Sequence, residues 1–283
     1  MANNINGLDH AVIAVRDLTI ADAAFHRLGF TLTPRGEHPE WGTANHCIMF
    51  RQDYIALQAA VGAGEVADEL RAFTDAHEGL HGISLGTDNG AAVIERLQSL
   101  GLDVPLPRSL SRRIDTDQGQ ATLMFSETLL PMEATPGIHT RVTQHITAER
   151  ERFPDWLVHP NGAIGIASVT AIVAEPVELT AAWDLVLGPH RAVITDDTVT
   201  LHTGRGLIFL SKPDDLTQLH PEAELDELPP APALVALAVL VADTDRAAQW
   251  LTHNDVEFSR DREGTIRIPP SEACGVHLEM VKG

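Results

Sequence analysis

The sequence predicts an α+β protein made of four copies of one β-α-β-β-β module. Two observations carry this reading. A short apolar strand, closed by an acidic residue and followed by a helix, occurs four times, and the four copies are spaced as two pairs. A supersecondary unit repeated at a fixed period marks a duplicated architecture.

The first copy opens with Leu8-Asp9-His10-Ala11-Val12-Ile13-Ala14-Val15, an apolar, β-branched run suited to a strand with both faces covered. Leu18, Ala21, Phe25 and Leu28 then recur at helical spacing, with Asp17 or Thr19 placed to cap the helix and Gly29 to end it. Phe30-Thr31-Leu32-Thr33 begins another strand. The second copy runs from His81 to Asp88, through Ala91 to Leu100, and stops at Gly101. The third runs from Ser168 to Glu175 and on to Gly188, and the fourth from Ala236 to Asp243 and on to Asn254. Taking His10, His81, Ser168 and Ala236 as matched strand positions, the closing acid stands seven residues later in every copy, and the terminator 11 to 13 residues after the acid. Tyr54-Ile55-Ala56-Leu57, Gly206 to Leu210 and Val276 to Met280 supply later strands of their modules.

The matched positions are 71 and 68 residues apart within the halves, and 158 and 155 apart between them. A pair of modules duplicated as a whole gives this spacing. The predicted organisation is an N-terminal domain of residues 1–146 (modules at about 7–60 and 78–146), a linker of 147–163, and a C-terminal domain of 164–283 (modules at about 164–212 and 232–283). The linker is marked by charge, by Pro154 and Pro160, and by the turn pair Asn161-Gly162.

Composition narrows the function classes. With 44% hydrophobic and 21% charged residues the chain reads as globular. A formal charge of -20 repels nucleic acid and anionic lipid, so neither is an expected partner. Cys47 and Cys274 form no CxxC pair, and the first ten residues carry no secretory pattern. The longest apolar run, Ala233 to Ala242, is about half of what a bilayer span needs. A cytoplasmic protein acting on a small molecule, as a monomer or homodimer, is the expectation. Nucleotide-binding and serine-hydrolase motifs are absent.

The paired β-α-β-β-β repeat, the Leu8-Asp9-His10 opening strand, Gly42-Thr43-Ala44-Asn45-His46 and His159-Pro160-Asn161-Gly162-Ala163 together resemble the vicinal oxygen chelate superfamily, in its glyoxalase-like branch. The resemblance implies two paired-module half-barrels, each able to cup one divalent metal. Ligands would come from the opening strands and from the last strand of one or both modules. It implies lyase or isomerase chemistry of glyoxalase type, in which a substrate chelates the metal through two oxygens and the metal stabilises an enediolate. Extradiol-type iron(II) ring cleavage and metal-free binding of a small toxic compound are the alternatives.

Carried onto this chain, the resemblance gives His10 and His81 as metal ligands. Ser168 and Ala236 stand at the corresponding C-terminal positions, so the second half is expected to be degenerate, with Glu279 an inherited position. In the first module the last-strand ligand would fall near Ala56, which cannot coordinate. In the second, strand alternation places His139, Arg141, Thr143 and His145 on one face, and His145 is the expected third ligand. Glu133 and Gln144 are its alternatives, with Glu127 behind them, and Glu133 or Glu127 can serve as general base. A carboxylate third ligand would favour iron(II), while zinc, manganese and nickel remain open. Asn45, His46 and Gln144 are candidate pocket residues, and Arg16, Arg108, Arg112 and Arg113 candidate carboxylate clamps. His159 to Gly162 reads as a turn, with Trp156 packed at the interface of the halves.

Overall fold

The computed structural model describes residues 3–116, 119–148, 152–223 and 228–283. The first module comprises β1 (Gly7–Ala14), α1 (Leu18–Arg27), β2 (Gly36–His38), β3 (Thr43–Met49) and β4 (Tyr54–Ala60). After α2 (Glu65–Ala76), the second comprises β5 (Gly79–Gly86), α3 (Gly90–Ser99), β6 (Arg108–Thr116), β7 (Gly119–Leu129) and β8 (Thr140–His145). The third comprises β9 (Ala163–Ile172), α4 (Thr180–Leu187), β10 (Ala192–Thr195), β11 (Thr198–His202) and β12 (Leu207–Ser211). Following α5 (Leu216–Leu219), the fourth comprises β13 (Ala233–Val241), α6 (Thr244–His253), β14 (Ser259–Arg260), β15 (Ile266–Ile268) and β16 (His277–Lys282). All four modules are α+β units of the expected order.

Within each module the opening strand pairs in parallel with the last one, and the two modules of a half join through an antiparallel pair of opening strands, β1 with β5 and β9 with β13. The first eight strands go further and close into a barrel, because β2 also pairs with β6. The second eight form an open sheet that ends on β10 and β14. The helices lie outside, and their apolar faces (Phe25 of α1, Leu97 of α3, Trp183 of α4, Leu251 of α6) merge with the outer faces of both sheets in one core.

The junctions between opening strands hold the detail that positions the site. In the β1–β5 ladder Leu8 pairs with Leu85 and His10 with Ser84, leaving Asp9 unmatched. Val12 pairs with Gly82 and Ile13 with Leu80, leaving His81 unmatched. The ladder is symmetric about the Ala11–Ile83 pair, so Asp9 corresponds to His81, and His10 to Gly82. The C-terminal junction repeats the device about Val169–Leu237, with Ala167 and Val235 left out. A bulge of this kind inserts one residue and re-aims its side chain. It also explains the core spacing, since Leu8, Ala11 and Ile13 share one face only because an extra residue separates the first two. Leu80, Ile83 and Leu85 repeat that spacing, as do Ile166, Val169 and Ala171, and Leu234, Leu237 and Val239.

This corrects the sequence alignment of the second module by one residue. The true offset in the first half is 72 rather than 71, and Val235, not Ala236, stands where His81 does. Asp88 precedes the cap of its helix and is not the counterpart of Asp17. Asp17 caps α1 by accepting from the N–H groups of Thr19 and Ile20, and Asp243 caps α6 in the same way, but α3 is capped by Asn89, which accepts from Ala92 N–H.

Candidate metal centre

His81, at the β5 bulge, faces the interior of the barrel beside His139, which immediately precedes β8; the two rings are 4.8 Å apart. Gly82 makes this approach possible, because a Cβ there would lie 2.7 Å from the His139 carbonyl oxygen and 2.9 Å from its Nδ1. The third member is Glu69 of α2. That helix buries Ala67, Leu70 and Thr74 and turns Glu69 toward the barrel rim. The Glu69 Oε1 atom lies 3.1 Å from His139 Nε2 and 3.5 Å from His81 Nε2. One ligand atom from each of the three residues lies within 4.8 Å of the other two.

The electrostatics suit a cation. The neighbouring imidazoles, His139 first and then His81, hold the Glu69 carboxyl well below the ordinary carboxylate range, against the opposing effect of burial. Burial is the main influence that lowers His139, so its imidazole is neutral and offers a lone pair. His81 Nδ1 and both ring nitrogens of His139 make no well-formed hydrogen bond among the described residues. Two imidazoles and one carboxylate converging on a point, with buried nitrogens unsatisfied, fit a divalent transition metal.

Glu69 also lines a cavity of about 370 Å³, together with Trp41, Arg108, Leu110, Glu127 and Arg141. Arg141 projects inward from β8, forms an ion pair with Glu127 (Nε to Oε1, 2.8 Å), and lies over the Trp41 ring at 5.4 Å. Burial pushes the Glu127 carboxyl up, with Arg141 only partly offsetting it. Thr143 donates to the other Glu127 oxygen at 3.4 Å and is itself 2.7 Å from Ser84 Oγ.

The remaining two expected ligands lie elsewhere. His10 Nδ1 is 2.7 Å from Asp9 Oδ2, and His145 Nε2 is 3.0 Å from both Asp9 oxygens. Tyr54 stacks on His10 at 4.4 Å. Burial alone would raise the Asp9 carboxyl, but the imidazoles of His145 and His10 outweigh it and hold it well below its usual range. His139 and His145 bracket β8 six residues apart, about 20 Å at strand rise. One metal therefore cannot take both His81 and His145. The structure joins His81 to Glu69 and His139, and joins His10 and His145 to Asp9.

Other expectations are corrected by strand alternation. Gln144 points outward, where Oε1 accepts from Gly90 N–H at the start of α3. His46 likewise faces α1, with Nδ1 2.9 Å from the Thr33 carbonyl. Glu133 is exposed in the β7–β8 turn. Asn45 does face inward, in a small cavity with His38, Tyr54 and Arg112. Arg112 is buried and donates to Thr33 Oγ1, whereas Arg16, Arg108 and Arg113 are exposed. His159 and Asn161 bind the first module: His159 Nδ1 accepts from Thr31 N–H at 3.0 Å, its Nε2 lies 3.0 Å from the Met49 carbonyl, and Asn161 Nδ2 donates to the Leu28 carbonyl. Trp156 packs beside Cys47, Met49 and Ala56.

Glu69 carried no signal in the repeat, because α2 connects modules and belongs to none. His139 was legible as an inward residue, but its partner depended on the bulge at His81.

The profile of the glyoxalase-like domain family matches residues 8–187, well over half of the chain. The chain belongs to the glyoxalase-like domain family. The matched span ends on the last residue of α4, so the family unit includes the closed barrel, the His159–Asn161 turn and the start of the third module. Comparison with curated proteins gives no match. Among solved structures, a hypothetical protein from Staphylococcus aureus aligns over 98% of this chain and 99% of its own, at a TM-score of 0.68 and 13% identity. A mutant 4-hydroxymandelate synthase from Streptomyces coelicolor aligns over 99% of this chain and 93% of its own, at 0.58 and 12%. A xylose isomerase-like TIM barrel/4-hydroxyphenylpyruvate dioxygenase fusion protein aligns over 100% of this chain and 49% of its own, at 0.55 and 13%. At such identities the likeness is one of fold. Both the family match and the shared fold agree with the resemblance to the vicinal oxygen chelate superfamily.

Proposed function

We propose that the N-terminal unit is a metal-dependent enzyme of lyase or isomerase type, with Glu69, His81 and His139 holding one divalent metal at the rim of the barrel. The observation that carries this is the convergence of two unsatisfied imidazoles and a carboxylate beside a cavity of about 370 Å³. When bound, the metal would supply Lewis acidity to a substrate that chelates through two oxygens. The chain's own groups do the rest. Arg141, held in place by Glu127 and Trp41, would orient an anionic or carbonyl oxygen of a small oxygenated substrate. Glu127, raised by burial, is the candidate general base, and Thr143 keeps one of its oxygens aimed. All these residues come from one chain, so the reading needs no second copy.

The donor set favours a second reading. Two histidines and a carboxylate with open positions suit iron(II) and oxygen chemistry, which makes a ring-cleaving dioxygenase the alternative. Elemental analysis after mild dialysis against zinc, manganese, nickel or iron(II) tests both readings. The wild type is expected to hold an equivalent that His139→Ala and Glu69→Gln lose and His10→Ala retains. Equal metal content in wild type and His139→Ala would sink the proposal. Oxygen uptake with catechols, by protein reconstituted anaerobically with iron, would favour the dioxygenase.

A further inference from the structure

The C-terminal sheet contributes nothing to that site, yet it borders a cavity of about 740 Å³ walled by apolar side chains (Leu216, Leu234, Val235) and by polar ones, Arg16 and Glu78 from the first half and His220 and His277 from the second. His220 follows α5 and is 4% exposed; His277 opens β16 and is 7% exposed. Glu279, two residues along β16 and on the same face, places Oε1 3.0 Å from His220 Nδ1 and 3.7 Å from His277 Nε2. One donor atom from each of the three lies within 4.8 Å of the other two, and all three residues are buried.

The hydrogen bonding around these atoms is incomplete. His220 Nε2 lies 2.8 Å from Thr170 Oγ1, but neither His220 Nδ1 nor His277 Nε2 makes a well-formed hydrogen bond among the described residues. A buried nitrogen left in that state carries its desolvation cost uncompensated. If His220 donates its proton to Thr170, Nδ1 turns a lone pair toward a carboxylate at 3.0 Å, an arrangement that repels unless a cation stands between them. Arg267 donates from Nε to Glu279 at 3.2 Å and from Nη2 to Asp261 at 2.9 Å. Two carboxylates and one guanidinium leave this group one charge negative, so a cation is not opposed. A hydroxyl that fixes the tautomer of a ligand histidine is the usual outer support of a metal.

We propose that His220, His277 and Glu279 form a second divalent transition-metal site, bordering this cavity and independent of the one in the barrel. Two imidazoles and a carboxylate fit zinc or iron(II). The occupant of the cavity would then be a small molecule with an apolar body and an oxygen donor.

The test uses full-length protein and zinc as the probe, with calorimetric titration and elemental analysis. The His81→Ala/His139→Ala variant should still bind one equivalent, which adding His277→Ala removes. In that same background Thr170→Val should weaken zinc affinity by about 10–100-fold with circular dichroism unchanged. A folded His81→Ala/His139→Ala variant that binds no zinc would overturn the proposal, leaving His220 as a hydrogen-bonding partner of Glu279 only. So would affinity unchanged by both His277→Ala and Thr170→Val. Should the double variant not fold, stoichiometry decides on other chains: two equivalents in wild type and one in His277→Gln support the site, and equal numbers overturn it. Failure of the barrel site would show separately, as an equivalent insensitive to His139→Ala.

Discussion

At the residue scale, the buried Asp9 carboxylate organises one end of the barrel, and its environment sets a pH dependence. Its carboxyl lies well below the unfolded value of 3.8 because two imidazoles face it. The unfolded chain therefore takes up the proton first, and the stabilisation is fully present above that value and lost as pH falls below it. Asp9→Asn leaves His10 and His145 without their charged partner and should cost about 3–5 kcal/mol near neutrality. Urea denaturation from neutrality down to about pH 3 should show the gap between wild type and variant narrowing below the unfolded pKa. A gap independent of pH would refute the assignment. His81 and Glu69 make the contrasting case. Their residue types were readable, but the sequence could not bring them together.

At the scale of elements, the starts of α1, α3 and α6 each depend on one side chain. Asp17, Asn89 and Asp243 each satisfy N–H groups that the helix leaves open, and each replacement by alanine should lower stability by about 1 kcal/mol. Asp88→Ala should change it by less than about 0.5 kcal/mol, since that residue is exposed and its neighbour is the cap. Comparable losses at Asp88 and Asn89 in chemical denaturation would contradict this register. The caps also expose a signal that was present in the sequence. Asp17, Asn89, Glu175 and Asp243 share the offsets of the bulged cores Leu8–Ala11, Leu80–Ile83, Ile166–Val169 and Leu234–Leu237. An apolar spacing of three within a strand marks a bulge, and reading it as plain alternation moved the second module by one residue.

At the scale of the whole molecule, the turn between the halves acts as a clasp. With the Thr31 N–H donated to Nδ1, His159 must carry its own proton on Nε2, toward the Met49 carbonyl; it is neutral, and burial holds it below its ordinary 6.5. The unfolded chain binds that proton more readily, so stability is lost as pH falls through and below 6.5. His38, pushed down to about 3 by burial and Arg112, acts in the same direction. Stability should fall between about pH 7.5 and 5.5, and His159→Gln should flatten that fall, as read from urea midpoints at the two pH values. An equally steep fall in the variant would remove His159 from the account. Among the described residues no helix is long and apolar enough to cross a membrane.

The sequence by itself determined the module, its order and its fourfold repetition, because strand, helix and cap are set by which side chains along a short segment can be buried or can satisfy a backbone N–H. It also named the histidines on the inner face of β8. Only the tertiary structure decided how those histidines are grouped. The antiparallel β1–β5 ladder is symmetric about Ala11–Ile83, which sets Asp9 and His10 to one side of that pair and His81 to the other. Glu69 and His220 come from segments outside the repeat, so no periodicity could place them. A site of three ligands depends on where separate elements meet in space, and that is fixed by packing.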